Sequence, residues 1–274
     1  MNGEGSGPPE ASGWRPARRG PLRAVCSSLA AVIFEIRLAA GFLTLLPVAV
    51  DSDPALVARS LAWFPLVGLA LGAVLALESL SLGALAGPGV NAVVVAMSAA
   101  LLTGAVHLDG VADTADALGA GRDRERALAV LRDSRVGVFG ALGLFFVLAL
   151  KVAALWGGAP LGRALALVLA TTAGRWAMVA VSYRFPYLRA GGAGSALLAE
   201  SGARNFVIAS QTAAVAALAT LFFWPRAALA LVLVPAAVAA LRRFYRRWLG
   251  GVTGDLIGAA GELVETLVLA ALLG

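Results

Sequence analysis

Long apolar runs, separated by short polar or glycine- and proline-containing stretches, fill the chain from residue 24 to its end. Each approaches the ~20 residues a helix needs to cross the hydrocarbon core of a bilayer. The pattern predicts spanning helices over roughly 61–82, 90–106, 138–156, 163–183, 206–224, 226–241 and 254–273. Segment 24–50 is also apolar, but it contains Glu35 and Arg37 and has Pro47 near its end. It is expected to enter and return, or to lie along the interface. The expected fold class is all-α: a polytopic integral membrane bundle of about seven spanning helices plus that re-entrant or interfacial segment.

Composition agrees. Hydrophobic residues make up 60% of the 274 and charged ones 14%, against about 25% charged in an ordinary soluble domain. Residues 1–20, rich in Gly, Pro and Ser without apolar periodicity, read as a disordered cytoplasmic tail. Residues 21–274 form a single membrane-embedded domain, since no later polar stretch could build a second core. No cleaved signal peptide is expected. Cys26 is the only cysteine, which excludes internal disulfides and a thiolate zinc site.

The net charge of +6 does not point to nucleic acid, because the basic residues are scattered between hydrophobic spans. Membrane topology explains them better. If 24–50 crosses the bilayer, the loop arginines divide 13 to 6 at best. If it does not cross, 17 fall on one side (15–23, 59, 122–135, 184–204 and 242–247) and only Arg163 and Arg226 on the other. Arginine excess in short loops marks the cytoplasmic side, so the second arrangement is expected.

Ionisable groups concentrate in one place. Residues 107–137 hold six of the sixteen acidic residues, five of the 22 basic ones and the only histidine. Asp109, Asp113 and Asp116 fall within about 60° of one another on a helix. Three carboxylates on one face repel one another, and each costs about 2.5–3.5 kcal/mol at mid-bilayer. A divalent cation with oxygen ligands offsets that cost, and Mg²⁺ fits. Asp133 follows after a polar loop long enough for a return helix and is a candidate fourth ligand. The alternative is a solvated loop in which Asp123, Glu125 and the arginines at 122, 124 and 126 pair at helical spacing. His107 is read equally well as a capping or core residue.

Two further groups stand out. Asp255 and Glu262, seven residues apart, share a face of the last span, with Glu265 close by; carboxylates inside an apolar span are functional candidates. Arg175 and Lys151, also within spans, are their partners or line the same cavity. In residues 182–200, Arg184 and Arg189 with Gly191, Gly192 and Gly194 offer charge and close backbone approach to a phosphate. There is no P-loop motif. Small-residue pairs such as Gly68–Gly72 and Gly254–Gly258 suit close helix packing, although 32 glycines produce such pairs by chance. Buried acids also admit a cation-coupled transporter, but no inverted repeat is evident.

The stretches "TGAVHLDGVADTADAL" (103–118) and "LRDSRVGVFGALGL" (131–144) resemble the cobalamin synthases, the adenosylcobinamide-GDP ribazoletransferases. The likeness extends to "FLTLLPV" (42–48), "YRFPYLRAGGAG" (183–194) and "GGVTGDLIGAAGELVE" (250–265). Leu45 stands where that family often has Arg, so no role is assigned there. The spacing from Asp109 is also similar to the CDP-alcohol phosphotransferases, but Asp113–Thr114 replaces their Ala-Arg. The resemblance implies a multi-pass enzyme of the bacterial inner membrane with its active site facing the cytoplasm. It would transfer adenosylcobinamide-phosphate from adenosylcobinamide-GDP to α-ribazole or its 5′-phosphate, releasing GMP with Mg²⁺ as cofactor. Asp109, Asp113, Asp116 and Asp133 would then hold the metal, and Asp255 or Glu262 would accept the hydroxyl proton. His107, Ser134, Arg135, Arg175, Arg184, Arg189, Gly192 and Gly194 would contact substrate. The lipid bilayer and other late corrinoid-pathway enzymes are the implied partners.

Overall fold

The computed structural model describes residues 21–47, 54–121, 123–189, 195, 198 and 202–274, with no strand among them. The helices are α1 (Pro21–Leu43), α2 (Pro54–Ser60), α3 (Phe64–Gly83), α4 (Pro88–Leu102), α5 (Val106–Gly119), α6 (Arg124–Val130) and α7 (Val138–Gly157). They continue with α8 (Pro160–Ser182), α9 (Ala203–Phe223), α10 (Ala228–Trp248) and α11 (Gly254–Leu273). The chain divides into two units between Phe34 and Glu35, within α1. Every feature below lies in the second, Glu35–Gly274.

Among the described residues, six helices are long and apolar enough to cross a membrane: Ala55–Gly83, Val138–Gly157, Pro160–Ser182, Ala203–Phe223, Pro225–Trp248 and Gly254–Leu273. The expected span at 90–106 differs. Helix α4 stops at Leu102, and the chain turns by 92° into α5, so the pair counts as a seventh span only if the two limbs are taken together. The turn is made by Gly104 and Ala105, at φ of 61° and 54°. Glycine adopts that left-handed conformation freely, whereas alanine carries about 1–2 kcal/mol of strain there. In segment 24–50, α1 is one continuous helix to Leu43, which removes the re-entrant form of that expectation and leaves the interfacial one.

Helix α8 is the axis of the bundle and is buried along most of its length, with α3 and α11 packed against it. Small residues permit the approach, since lipid supplies no hydrophobic drive between helices. A methyl group at Gly68 would meet the Thr171 carbonyl oxygen at 2.6 Å, and one at Gly174 would meet that of Gly261 at 2.8 Å. Helices α7, α9 and α10 are peripheral. Their outward sides carry Phe145, Phe146, Phe222 and Val232, all exposed, as a lipid-facing surface requires.

The helices place the connections at two ends. Arg226 donates to the Gly274 carbonyl, and Gly158 lies against Leu273, so 158, 226 and the last residue share one end. At the opposite end Arg124 donates to the Leu249 carbonyl and Arg189 to that of Leu131. The turns after α5 and α8 and the start of α11 meet there. This second end carries the arginine-rich connections.

Candidate active site

The broken α4–α5 pair lays the aspartate-bearing helix across the arginine-rich end, between α7 and α11. A methyl group at Gly110 would sit 2.6 Å from the Asp255 carbonyl oxygen, so α5 and the first turn of α11 touch through backbone. Thr253 caps α11, its Oγ1 accepting from Leu256 N at 3.3 Å, which fixes the helix start and with it Asp255. Asp109 is exposed, while Asp113 and Asp255 are half-buried. Among the described residues, the charges acting on Asp113 are those of Asp109, Asp255 and Asp116, opposed by that of Arg189. Arg189 lies 3.4 Å from Asp255.

Asp109 and Asp255 open onto a cavity of about 250 Å³, also lined by His107, Tyr187, Phe42 and Phe64. His107 is buried against Gly258, and its Nδ1 has no hydrogen-bond partner among the described residues. An unpaired buried acceptor or donor costs about 1–3 kcal/mol.

Asp116 shares the face of Asp109 and Asp113 but is engaged differently. Its two oxygens accept from Gly137 N at 2.6 Å and Gly140 N at 2.8 Å, so it caps the start of α7. A Cβ at Gly137 or Gly140 would collide with this carboxylate. Asp116→Ala is accordingly expected to lower stability by about 1–2 kcal/mol. Gly140→Ala should mimic that loss, and thermal unfolding of the two variants checks both.

Asp133 does not reach the aspartate face. It follows the short α6 and not a return helix, and its carboxylate makes a two-pronged pair with Arg135 at 2.6–3.1 Å in solvent. Hydrogen bonds from that guanidinium hold the Asp133 carboxyl down at about 2. Arg135 is thereby turned away from the cavity, and Ser134 is exposed beside it. The polar loop is exposed, but not through the expected Asp–Arg pairs: Asp123 caps α6, accepting from Glu125 N and Arg126 N, Arg124 donates to the Leu249 carbonyl, and Arg122 lies outside the described residues.

Behind the cavity, four charged groups meet inside the bundle. Lys151 pairs with Glu262 and, at 2.8 Å, with Glu265. Arg175 pairs with Glu265. All four are buried, and two cations balance two anions. Arg175, expected at substrate, is therefore spent on Glu265 at 2% exposure. Glu262, expected as a proton acceptor, is held by Lys151 and separated from Asp255 by two helical turns. Arg184 is exposed, with its guanidinium over the Tyr183 ring. Arg189 alone of the expected arginines joins the site, while Gly191, Gly192 and Gly194 lie outside the described residues.

The site's outline was legible, but three parts were not. The sequence places Lys151 and Glu265 within spans without fixing which cation meets which anion. Tyr187 gave no signal beyond its place in a matched motif. Glu35, noted for its charge, accepts from Trp63 Nε1 at 2.9 Å and from Arg204 at 3.2 Å, tying α1 to α9.

An oxygen-only donor set with excess negative charge suits Mg²⁺, which is commonly held by one or two carboxylates plus substrate phosphate. Among the described residues no three of His, Cys, Asp and Glu stand close enough to bind an ion by themselves.

The fold and the cavity define a polytopic helical membrane protein with an acidic site at its arginine-rich end. The cobalamin-5-phosphate synthase family model matches residues 35–273, and the chain belongs to that family. A relative from Syntrophobacter fumaroxidans named adenosylcobinamide-GDP ribazoletransferase is 43% identical over 85% of this chain and 95% of its own length. Relatives of the same name from Roseiflexus and Citrobacter koseri are 41% and 40% identical, covering 84% and 78% of this chain and 86% and 87% of their own lengths. No solved structure matches.

Proposed function

We propose that the acidic cavity transfers adenosylcobinamide-phosphate from adenosylcobinamide-GDP to α-ribazole or its 5′-phosphate, in a single membrane-embedded catalytic domain. The observation that carries this reading is the meeting of Asp109, Asp113 and Asp255 beside Arg189 in a chain of this family. The ribose 3′-hydroxyl oxygen attacks the phosphorus that bears cobinamide. The bond from that phosphorus to the GMP oxygen breaks, and GMP leaves with the bonding pair. Asp255, free of the buried ion network, accepts the hydroxyl proton. Arg189 contacts the leaving phosphate, and the unpaired His107 nitrogen positions a substrate hydroxyl.

Asp109 and Asp113 would hold Mg²⁺, while Asp116 stays engaged at the start of α7 and Asp133 with Arg135. When bound, the ion neutralises charge on the pyrophosphate, which is most of what phosphoryl transfer requires. The arginine distribution supports an inner-membrane protein whose site faces the cytoplasm. The purified protein in detergent, given adenosylcobinamide-GDP, α-ribazole and Mg²⁺, is expected to release GMP and the corrinoid product in equal amounts. EDTA should stop the reaction and added Mg²⁺ restore it. Turnover indifferent to EDTA would contradict the metal assignment, and substrate uptake needing an ion gradient would favour a transporter.

A further inference from the structure

The last two turns of α10 carry four arginines that the proposed reaction does not use. Arg242, Arg243, Arg246 and Arg247 lie on one broad face of the helix and, with Ala239, line a cavity of about 350 Å³. No acidic side chain among the described residues pairs with any of them. Like charges crowded on one helix end repel one another, so the arrangement needs either bulk solvent or an anion.

The cradle is also held in place. Arg242 NH1 donates to the carbonyls of Ala180, Val181 and Tyr183, at 2.6, 2.9 and 2.9 Å, closing the end of α8. Arg242 and Arg246 both lie over the Phe185 ring, 5.0 and 5.4 Å from its centre. Arg243 and Arg247 are left exposed. Phe244, 40% exposed, and Trp248 flank them, and the rest of α10 presents Leu229, Leu231 and Val232 outward. Aromatic residues beside basic ones at the end of an apolar helix mark the headgroup level of a bilayer. We propose that this cradle binds the phosphate of an anionic phospholipid headgroup in the leaflet at the arginine-rich end. Charge complementarity selects the headgroup, and the lipid-facing side of α10 lets its acyl chains lie in the hydrocarbon.

The test titrates the full-length protein in detergent with phosphatidylglycerol or phosphatidylcholine and counts retained lipids by native mass spectrometry. The unaltered protein should retain phosphatidylglycerol selectively, and 0.5 M salt should weaken that retention. Arg243→Gln with Arg247→Gln should weaken it about thirtyfold, roughly fivefold per arginine, without changing phosphatidylcholine retention, thermal stability or GMP release. The charge-conserving pair Arg243→Lys with Arg247→Lys should keep it. Equal retention of the two lipids, or selectivity that survives the glutamine pair, would overturn the proposal. Displacement of phosphatidylglycerol by stoichiometric GDP would also overturn it, assigning the cradle to a soluble nucleotide's phosphates.

Discussion

Asp113→Asn is expected to cut turnover at least a hundredfold while leaving the protein as stable as before, or slightly more stable. The two halves of that result have separate causes. Asp113 is half-buried and surrounded by Asp109, Asp255 and Asp116, with Arg189 the opposing charge among the described residues. Neutralising it relieves like-charge repulsion, and no side-chain hydrogen bond among the described residues depends on it. If the same carboxylate holds Mg²⁺ against the pyrophosphate, its loss removes stabilisation specific to the transition state. Each ~1.4 kcal/mol so lost is tenfold in rate, and one metal contact is worth several kcal/mol. Turnover per folded protein within threefold of the unaltered enzyme would remove Asp113 from the site. A residue whose removal costs activity and spares stability is retained for function.

Glu265→Gln is expected to do the reverse. Glu265 bridges Lys151 and Arg175 deep in the bundle, and all three are buried. Without its charge, two buried cations share Glu262. Removing one partner of a buried ion pair costs about 3–5 kcal/mol, a large fraction of a typical domain's stability. Poor yield or a sharply lowered Tm should result, with the surviving folded molecules still turning over. Removing a balanced pair instead, as in Lys151→Met with Glu262→Leu, should restore much of the stability, because replacing buried ions by apolar groups of similar size is often neutral or better. If Glu265→Gln unfolds normally and yet loses all turnover, the network belongs to the chemistry and not to the framework.

Six of the seven spanning segments were legible because hydropathy acts directly on them: a helix in lipid satisfies its own backbone and must be apolar outward. The break between α4 and α5 was not. "LLTGAV" has no charged residue and no proline, and hydropathy cannot tell a straight span from one that turns at Gly104 and Ala105. That turn lays the aspartates across the end of the bundle, so sequence found the residues and not their depth. Spacing put Asp109, Asp113 and Asp116 on one face correctly. It could not show that Asp116 is taken by α7, although Gly137 and Gly140, three apart in "VGVFG", are the trace of that contact. Asp133 misled for a local reason, since Arg135 two residues away satisfies it. For Glu262 and Arg175 the sequence left two roles open, since charges within spans mark functional sites by default; the structure shows the pairing role, carried through Lys151 and Glu265.

The most direct test of the acidic cavity is the Mg²⁺ dependence of GMP release by correctly folded Asp109→Asn beside the unaltered protein. Asp109 is exposed at the cavity mouth, so the substitution should leave the fold intact. A metal held there predicts an activation curve displaced to at least tenfold higher Mg²⁺, with a lower plateau. Two superimposable curves would contradict the assignment of the reaction to this cavity.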